Sequence, residues 1–246
     1  MLRLLCVTAH PDDEAGAFGG TLLLYASRGV ATHVICLTAG EAGSRGATAK
    51  SRKELAELRR AEFAAACEVL KVSNAELLGY PDGELYRVPA NGPTADLVYR
   101  IRRIRPQVLL TFGPDGGTGH VDHSMTSVFA TSAFHWAARD DWFVEQLNTG
   151  LLPHQVQKLY YLTSEFGFPG RRTLCLAPTS ATLDIHDFVE DKIRAFEAHA
   201  TQASTIVVRV IRQQRGTENY HLAAASTLRT MEMETDLFSS LADEPI

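Results

Sequence analysis

About four times over between residues 2 and 139, the chain alternates between a compact apolar run and a longer amphipathic one. The compact runs cover residues 2–9, 31–38, 76–79 and 107–112. Each is too short for a stable helix and is bounded by turn residues, so each reads as a buried strand. Helices are predicted over 16–28, with Gly29 as the stop, and from Ser51 through SRKELAELRRAEFAAACEVLK, where Ser51 and Glu54 match a capping box. Two more are predicted over 93–105, stopped by Pro106, and over about 124–139. Strands that alternate with helices require right-handed crossovers. The expected fold is therefore α/β, with a doubly wound, mostly parallel sheet and helices on both faces.

Beyond Asp140 the pattern loosens. Residues 158–163 and 181–185 read as strands and 187–202 as a helix, while 205–213 fits either. Residues 215–246 carry no strong core signal beyond one short helix. There is no internal repeat and no low-complexity segment. A single domain over 1–246 is expected, with a core over 1–139 and a C-terminal elaboration over 140–246.

The polar residues are not spread evenly over this pattern. In a doubly wound sheet, ligands bind beyond the carboxyl ends of the strands. Four unusual stretches fall there: HPDDE, TAGEAGSRG, GYPDGEL and GPDGGTGHVDH, after the first to the fourth strand in turn. In the first, His10, Asp12, Asp13 and Glu14 are crowded together directly after a buried run. Such groups repel one another and resist burial, so something must offset the cost. A divalent cation would do so. Catalytic zinc takes three protein ligands from histidine and carboxylate and keeps one position open. His10 and Asp13 can reach one ion from one loop, and His123 can complete the set from the fourth strand. Asp12 is then free to act on a water. Alone, H-P-D-D is also good turn chemistry, and H-x-D-H is a weak signal; their meeting at one sheet end is what favours a site.

Other classes fit less well. Gly16, Gly19 and Gly20 do not form the dinucleotide fingerprint, and the acidic cluster would repel a pyrophosphate. A two-histidine, one-carboxylate iron oxygenase has the right ligand types but not the alternating α/β pattern. A metal-dependent sugar-binding protein without catalysis would not need Asp12 and His120 beside the ligands. The net charge of −5 and 24 scattered basic residues argue against a nucleic-acid footprint. No apolar run is long enough to span a bilayer. The N-terminal MLRLLCVTAH has too short an apolar run and no small-residue cleavage site, so it reads as a mature strand rather than a signal peptide. Cys6, Cys36, Cys67 and Cys175 form no C-x-x-C pair, and three of them sit in apolar stretches. Buried free thiols in a reducing cytoplasm are expected.

A-H-P-D-D-E after the first strand together with G-H-V-D-H after the fourth resembles the LmbE-like, or PIG-L, family of zinc-dependent N-acetylglucosamine deacetylases. The likeness covers about residues 2–125 and returns at Lys192, His199 and Gln202 in KIRAFEAHATQ. The resemblance implies a Rossmann-like α/β domain that hydrolyses the N-acetyl amide of an amino-sugar conjugate, with zinc as cofactor; ferrous iron suits the same ligands. It implies His10, Asp13 and His123 as metal ligands and Asp12 as general base. It makes His120 the group that stabilises the oxyanion or protonates the leaving amine, oriented by Asp122. Arg59, Asp82 and, less closely matched, Glu41 are implied as sugar-binding residues. The expected partner is a small-molecule amino sugar, with homo-oligomerisation left open.

Overall fold

The computed structural model describes residues 1–43, 49–163, 177–227 and 232–241. The first strand, β1 (Arg3–Thr8), ends in a turn of helix α1 (Asp13–Gly16), and α2 (Gly19–Ser27) leads to β2 (Ala31–Thr38). Helix α3 (Arg52–Val69) and strand β3 (Asn74–Tyr80) follow, then α4 (Asn91–Ile104) and β4 (Val108–Phe112). After β4 come the short α5 (Gly116–Gly119), the long α6 (Val121–Trp136) and the short α7 (Val144–Leu147). The remainder is β5 (Lys158–Leu162), β6 (Ala181–Asp184), α8 (Val189–Glu197), α9 (Thr205–Gln213) and β7 (Thr217–Ala225).

The strands form one sheet in the order β3-β2-β1-β4-β5-β7-β6. From β3 to β5 every pairing is parallel; β7 is antiparallel to both β5 and β6. Alternation along β1 sends Leu4 and Cys6 into a core shared with α2, α3 and α8, and Leu5 and Val7 into a second core shared with α4 and α6. Helices therefore cover both faces, as expected of a doubly wound fold. Between β1 and β4 the chain direction across the sheet reverses, which opens a crevice at their carboxyl ends.

Several expectations are corrected. Residues 16–28 are not one helix: α1 ends at Gly16 and α2 starts at Gly19. Helix α6 starts at Val121 rather than near Ser124, so His123 lies in its first turn. The segment 205–213 is a helix, and α8 is shorter than the predicted 187–202. The stretch after Arg215, expected to add little to the core, supplies β7. Cys6, Cys36 and Cys67 are buried free thiols; Cys175, and the end of the predicted loop at 44–48, lie outside the described residues. Among the described residues no helix is long and apolar enough to cross a membrane.

Candidate metal centre

The turn after β1 is built around one carboxylate. Asp13 Oδ2 accepts the backbone N–H groups of Ala9 (3.2 Å) and His10 (2.8 Å), which fixes the chain as it leaves the sheet. Asp13 Oδ1 lies 3.2 Å from His123 Nε2, and that nitrogen lies 3.3 Å from His10 Nδ1. His10 Nδ1 is 3.6 Å from Asp13 Oδ2. Donors held 2.0–2.1 Å from a tetrahedral ion stand about 3.3 Å from one another. The two contacts of His123 Nε2, to His10 Nδ1 and to Asp13 Oδ1, match that spacing, with the second Asp13 oxygen on the far side of His10 Nδ1.

The outer nitrogens of both imidazoles are also accounted for. His123 Nδ1 donates to Gly116 O at 3.0 Å, which leaves Nε2 bare. Phe112 stacks on the same ring, with centroids 4.0 Å apart and planes at 9°. His10 Nε2 donates to Asp82 Oδ1 (3.1 Å) and Asp122 Oδ2 (3.2 Å), so Nδ1 is the nitrogen left to meet an ion. Ligating histidines are typically oriented by partners of this kind. Burial works against a charge on His10, but its hydrogen bonds to Asp122, Asp13 and Asp82 outweigh that and hold it protonated well above the usual histidine range. A bound cation would offset the crowded carboxylates.

Two further groups of donors lie close together: His10 with His120 and His123, and His10 with Asp82 and Asp122. The second is a closed arrangement. Asp122 is fully buried and does not line the cavity, and its carboxylate already accepts Gly83 N–H (2.7 Å) and Leu85 N–H (3.1 Å). In the first, His120 Nδ1 already accepts the Asp122 N–H at 3.2 Å. That bond caps α6 and places the imidazole proton on Nε2. Burial, and the nearby His10, press the His120 pKa down to about 4, so the ring is a neutral donor.

The geometry revises several roles expected from sequence. Asp122 meets His120 through its backbone, while its carboxylate orients His10. Asp82 is only 7% exposed, and both its oxygens are engaged, by His10 and by Ala42 N–H at 2.7 Å. Glu41 accepts Asp82 N–H at 3.0 Å and does not line the cavity. Arg59, 3% exposed, donates to Gly40 O at 2.8 Å and to Pro11 O, and its Nη2 lies 3.3 Å from Asp12 Oδ2. Gly40 makes room for it: the backbone there has φ +69°, and a Cβ would collide with the guanidinium. Burial raises the Asp12 pKa to about 6, against the pull of Arg59.

Asp12, Asp13, His10, His120 and His123 together line a cavity of about 540 Å³, and Leu162, Phe196 and Val207 are among its apolar lining. Sequence reasoning noted Glu14 and His199 without giving them a place. They form a fully buried pair, His199 Nε2 donating to Glu14 Oε1 at 2.6 Å, directly behind Asp12.

Fold and site together define a doubly wound α/β protein with a candidate metal centre at its topological switch point, flanked by the Asp12 carboxylate and the His120 imidazole. The family model described as PIG-L, GlcNAc-PI de-N-acetylase, matches residues 5–134. The chain belongs to that family. It is 32% identical over 233 residues to a 1D-myo-inositol 2-acetamido-2-deoxy-alpha-D-glucopyranoside deacetylase of Acidothermus cellulolyticus, covering 81% of this chain and 79% of the relative. It is 29% identical over 289 residues to a mycothiol S-conjugate amidase of Streptomyces coelicolor, covering 98% of each. Its fold matches that of N,N'-diacetylchitobiose deacetylase from Pyrococcus horikoshii with a TM-score of 0.76 at 22% identity, over 89% of this chain and 83% of that one.

Proposed function

We propose that this protein is a zinc-dependent hydrolase that removes the N-acetyl group from a small, soluble N-acetylglucosamine conjugate. The observation that carries this reading is the meeting of His10, Asp13 and His123 in one cavity that Asp12 and His120 also line, with His123 Nε2 3.3 Å from His10 Nδ1 and 3.2 Å from Asp13 Oδ1, and His10 Nδ1 3.6 Å from Asp13 Oδ2. Zinc, when bound, supplies Lewis acidity, polarising an amide carbonyl and lowering the pKa of a water to about 7; ferrous iron suits the same donors.

This chain's own residues supply the rest. The Asp12 carboxylate takes a proton from the attacking water, whose oxygen bonds to the acetyl carbon. His120 donates its Nε2–H to the carbonyl oxygen as negative charge develops there. The C–N bond then breaks, and the proton held by Asp12 goes to the departing nitrogen, giving acetate and a free amine. Arg59 and Asp82 line the cavity beside those donors, which supports contact with the sugar, whereas Glu41 supports the Asp82 loop. The deacetylase relative supports the substrate class; the amidase relative makes a longer acyl group the second reading. The buried free thiols support a reducing, cytoplasmic setting.

The test is release of primary amine and acetate from N-acetylglucosamine, its malate and inositol conjugates and diacetylchitobiose. Equimolar acetate and amine are expected from at least one of them, abolished by a chelator and restored by zinc. Silence on all four with turnover of a non-sugar amide would remove the sugar assignment.

A further inference from the structure

Asp12 has φ 116° and ψ −25°, a conformation that a non-glycine residue seldom adopts. Such a residue is strained and persists only where its surroundings over-determine it. Here they do. The Pro11–Asp12 peptide is pinned on both sides, its carbonyl by Arg59 and its N–H by Glu14 Oε2 at 3.0 Å. The Asp12 carbonyl accepts Gly16 N–H at 2.8 Å. Arg59 then holds the carboxylate itself at 3.3 Å.

Glu14 is in turn fixed from far along the chain. It is fully buried, and its second oxygen, Oε1, accepts from His199 Nε2 at 2.6 Å across a separation of 185 residues. His199 is also fully buried and follows the end of α8, where its N–H bonds Phe196 O at 3.1 Å. A buried carboxyl–imidazole pair is rarely the most stable filling for such a space; apolar side chains of the same volume often do as well or better. What the pair supplies is direction. With His199 on one oxygen, the other can point only at the Asp12 N–H.

We propose that the Glu14–His199 pair positions Asp12, so that the C-terminal elaboration completes the acid–base geometry of the site. The proposal rests on the hydrolase reading above. Glu14 and His199 touch no substrate; they act through the Asp12 backbone. Removing the His199 donor leaves Glu14 Oε1 bare in the core, and the carboxylate rotates toward another donor. The Pro11–Asp12 peptide is then released, and the Asp12 carboxylate swings away from the water it must deprotonate. Misplacement of a reacting group by about 1 Å can cost on the order of 10²-fold in rate.

The experiment compares the full-length, zinc-loaded wild type with His199→Leu and His199→Gln; the glutamine amide can donate from near the Nε2 position. For His199→Leu, kcat is expected to fall by about 10²-fold with KM and zinc content little changed, and His199→Gln to recover most of the loss. The Asp12 backbone amide, read by NMR on the same samples, is expected to shift in His199→Leu and return toward its parent position in His199→Gln. A role confined to stability would lower the melting temperature of His199→Leu but leave both kcat and the Asp12 amide in place, and that result overturns the proposal. If His199→Leu does not fold, Glu14→Met keeps the approximate volume and removes both acceptor oxygens; unchanged kcat and an unmoved Asp12 amide there overturn it equally. Absence of turnover in the wild type would count against the hydrolase reading alone, because the Asp12 amide still reports whether the pair holds that peptide.

Discussion

Asp12→Asn is expected to lower kcat by about 10²–10⁴-fold, the usual range for a lost acid–base group, while the chain keeps its zinc. The substitution is isosteric and leaves the His10, Asp13 and His123 donors in place. What disappears is the ability to accept a proton beside the cavity. The amide oxygen of the substituted side chain can still face Arg59, so the loop keeps much of its geometry. Zinc content by metal analysis and single-turnover amine release check the two halves of the expectation. A variant that loses its zinc but turns over normally when zinc is restored would mean that Asp12 and Asp13 exchange the roles given to them here.

Glu218→Leu is expected to destabilise the fold by about 3–5 kcal/mol, the cost of leaving one member of a buried ion pair alone. Glu218, on β7, is 1% exposed and accepts from Lys192 Nζ at 2.6 Å, with Lys192 itself fully buried. It does a second job. Helix α2 has no side-chain cap of its own, and Glu218 accepts Gly20 N–H and Thr21 N–H, both at 2.9 Å. A strand near the end of the chain thus caps the second helix, satisfying donors that would otherwise be orphaned. The packing leaves no slack: a Cβ at Gly20 would stand 2.8 Å from Glu218 Oε1. Lys192→Met is expected to cost less, since Glu218 keeps the α2 N–H groups, Thr21 Oγ1 and the Tyr220 hydroxyl. Adding Lys192→Met to Glu218→Leu should recover part of the loss, because the stranded ammonium is gone while the helix end stays uncapped. Urea denaturation of the three variants measures this. Equal midpoints for Glu218→Leu and the wild type would contradict it.

The same residue shows why part of the fold was not legible in the sequence. In β7 the side chains that enter the core include Glu218 and Tyr220. A glutamate on the inward face inverts the polar and apolar alternation by which a strand is recognised, and its partners lie far away at Lys192 and Thr21. The strands β1, β2 and β4, by contrast, are largely buried, so each shows as a nearly continuous apolar stretch. Their carboxyl ends were therefore visible, and with them the convergence of His10, Asp13 and His123. Residue types and spacing could say that these side chains share a sheet end. They could not say which carboxylate orients which imidazole. Asp122 lies two residues from His120, yet its carboxylate turns to His10, because Gly83 and Leu85 hold it from the loop after β3. Arg59 reads as an exposed helix charge or a sugar contact, and only the fold brings Gly40 and Pro11 to meet it.

Three sets of donors share His10, and the chemistry depends on which of them holds the ion. Anomalous diffraction at the zinc edge, from crystals of the zinc-loaded protein, separates them. One peak is expected on the cavity floor, about 2.0–2.1 Å from His10 Nδ1, an Asp13 oxygen and His123 Nε2. A peak among His10 Nε2, Asp82 and Asp122, or one held by His120 in place of Asp13, or none near His10, would contradict the assignment.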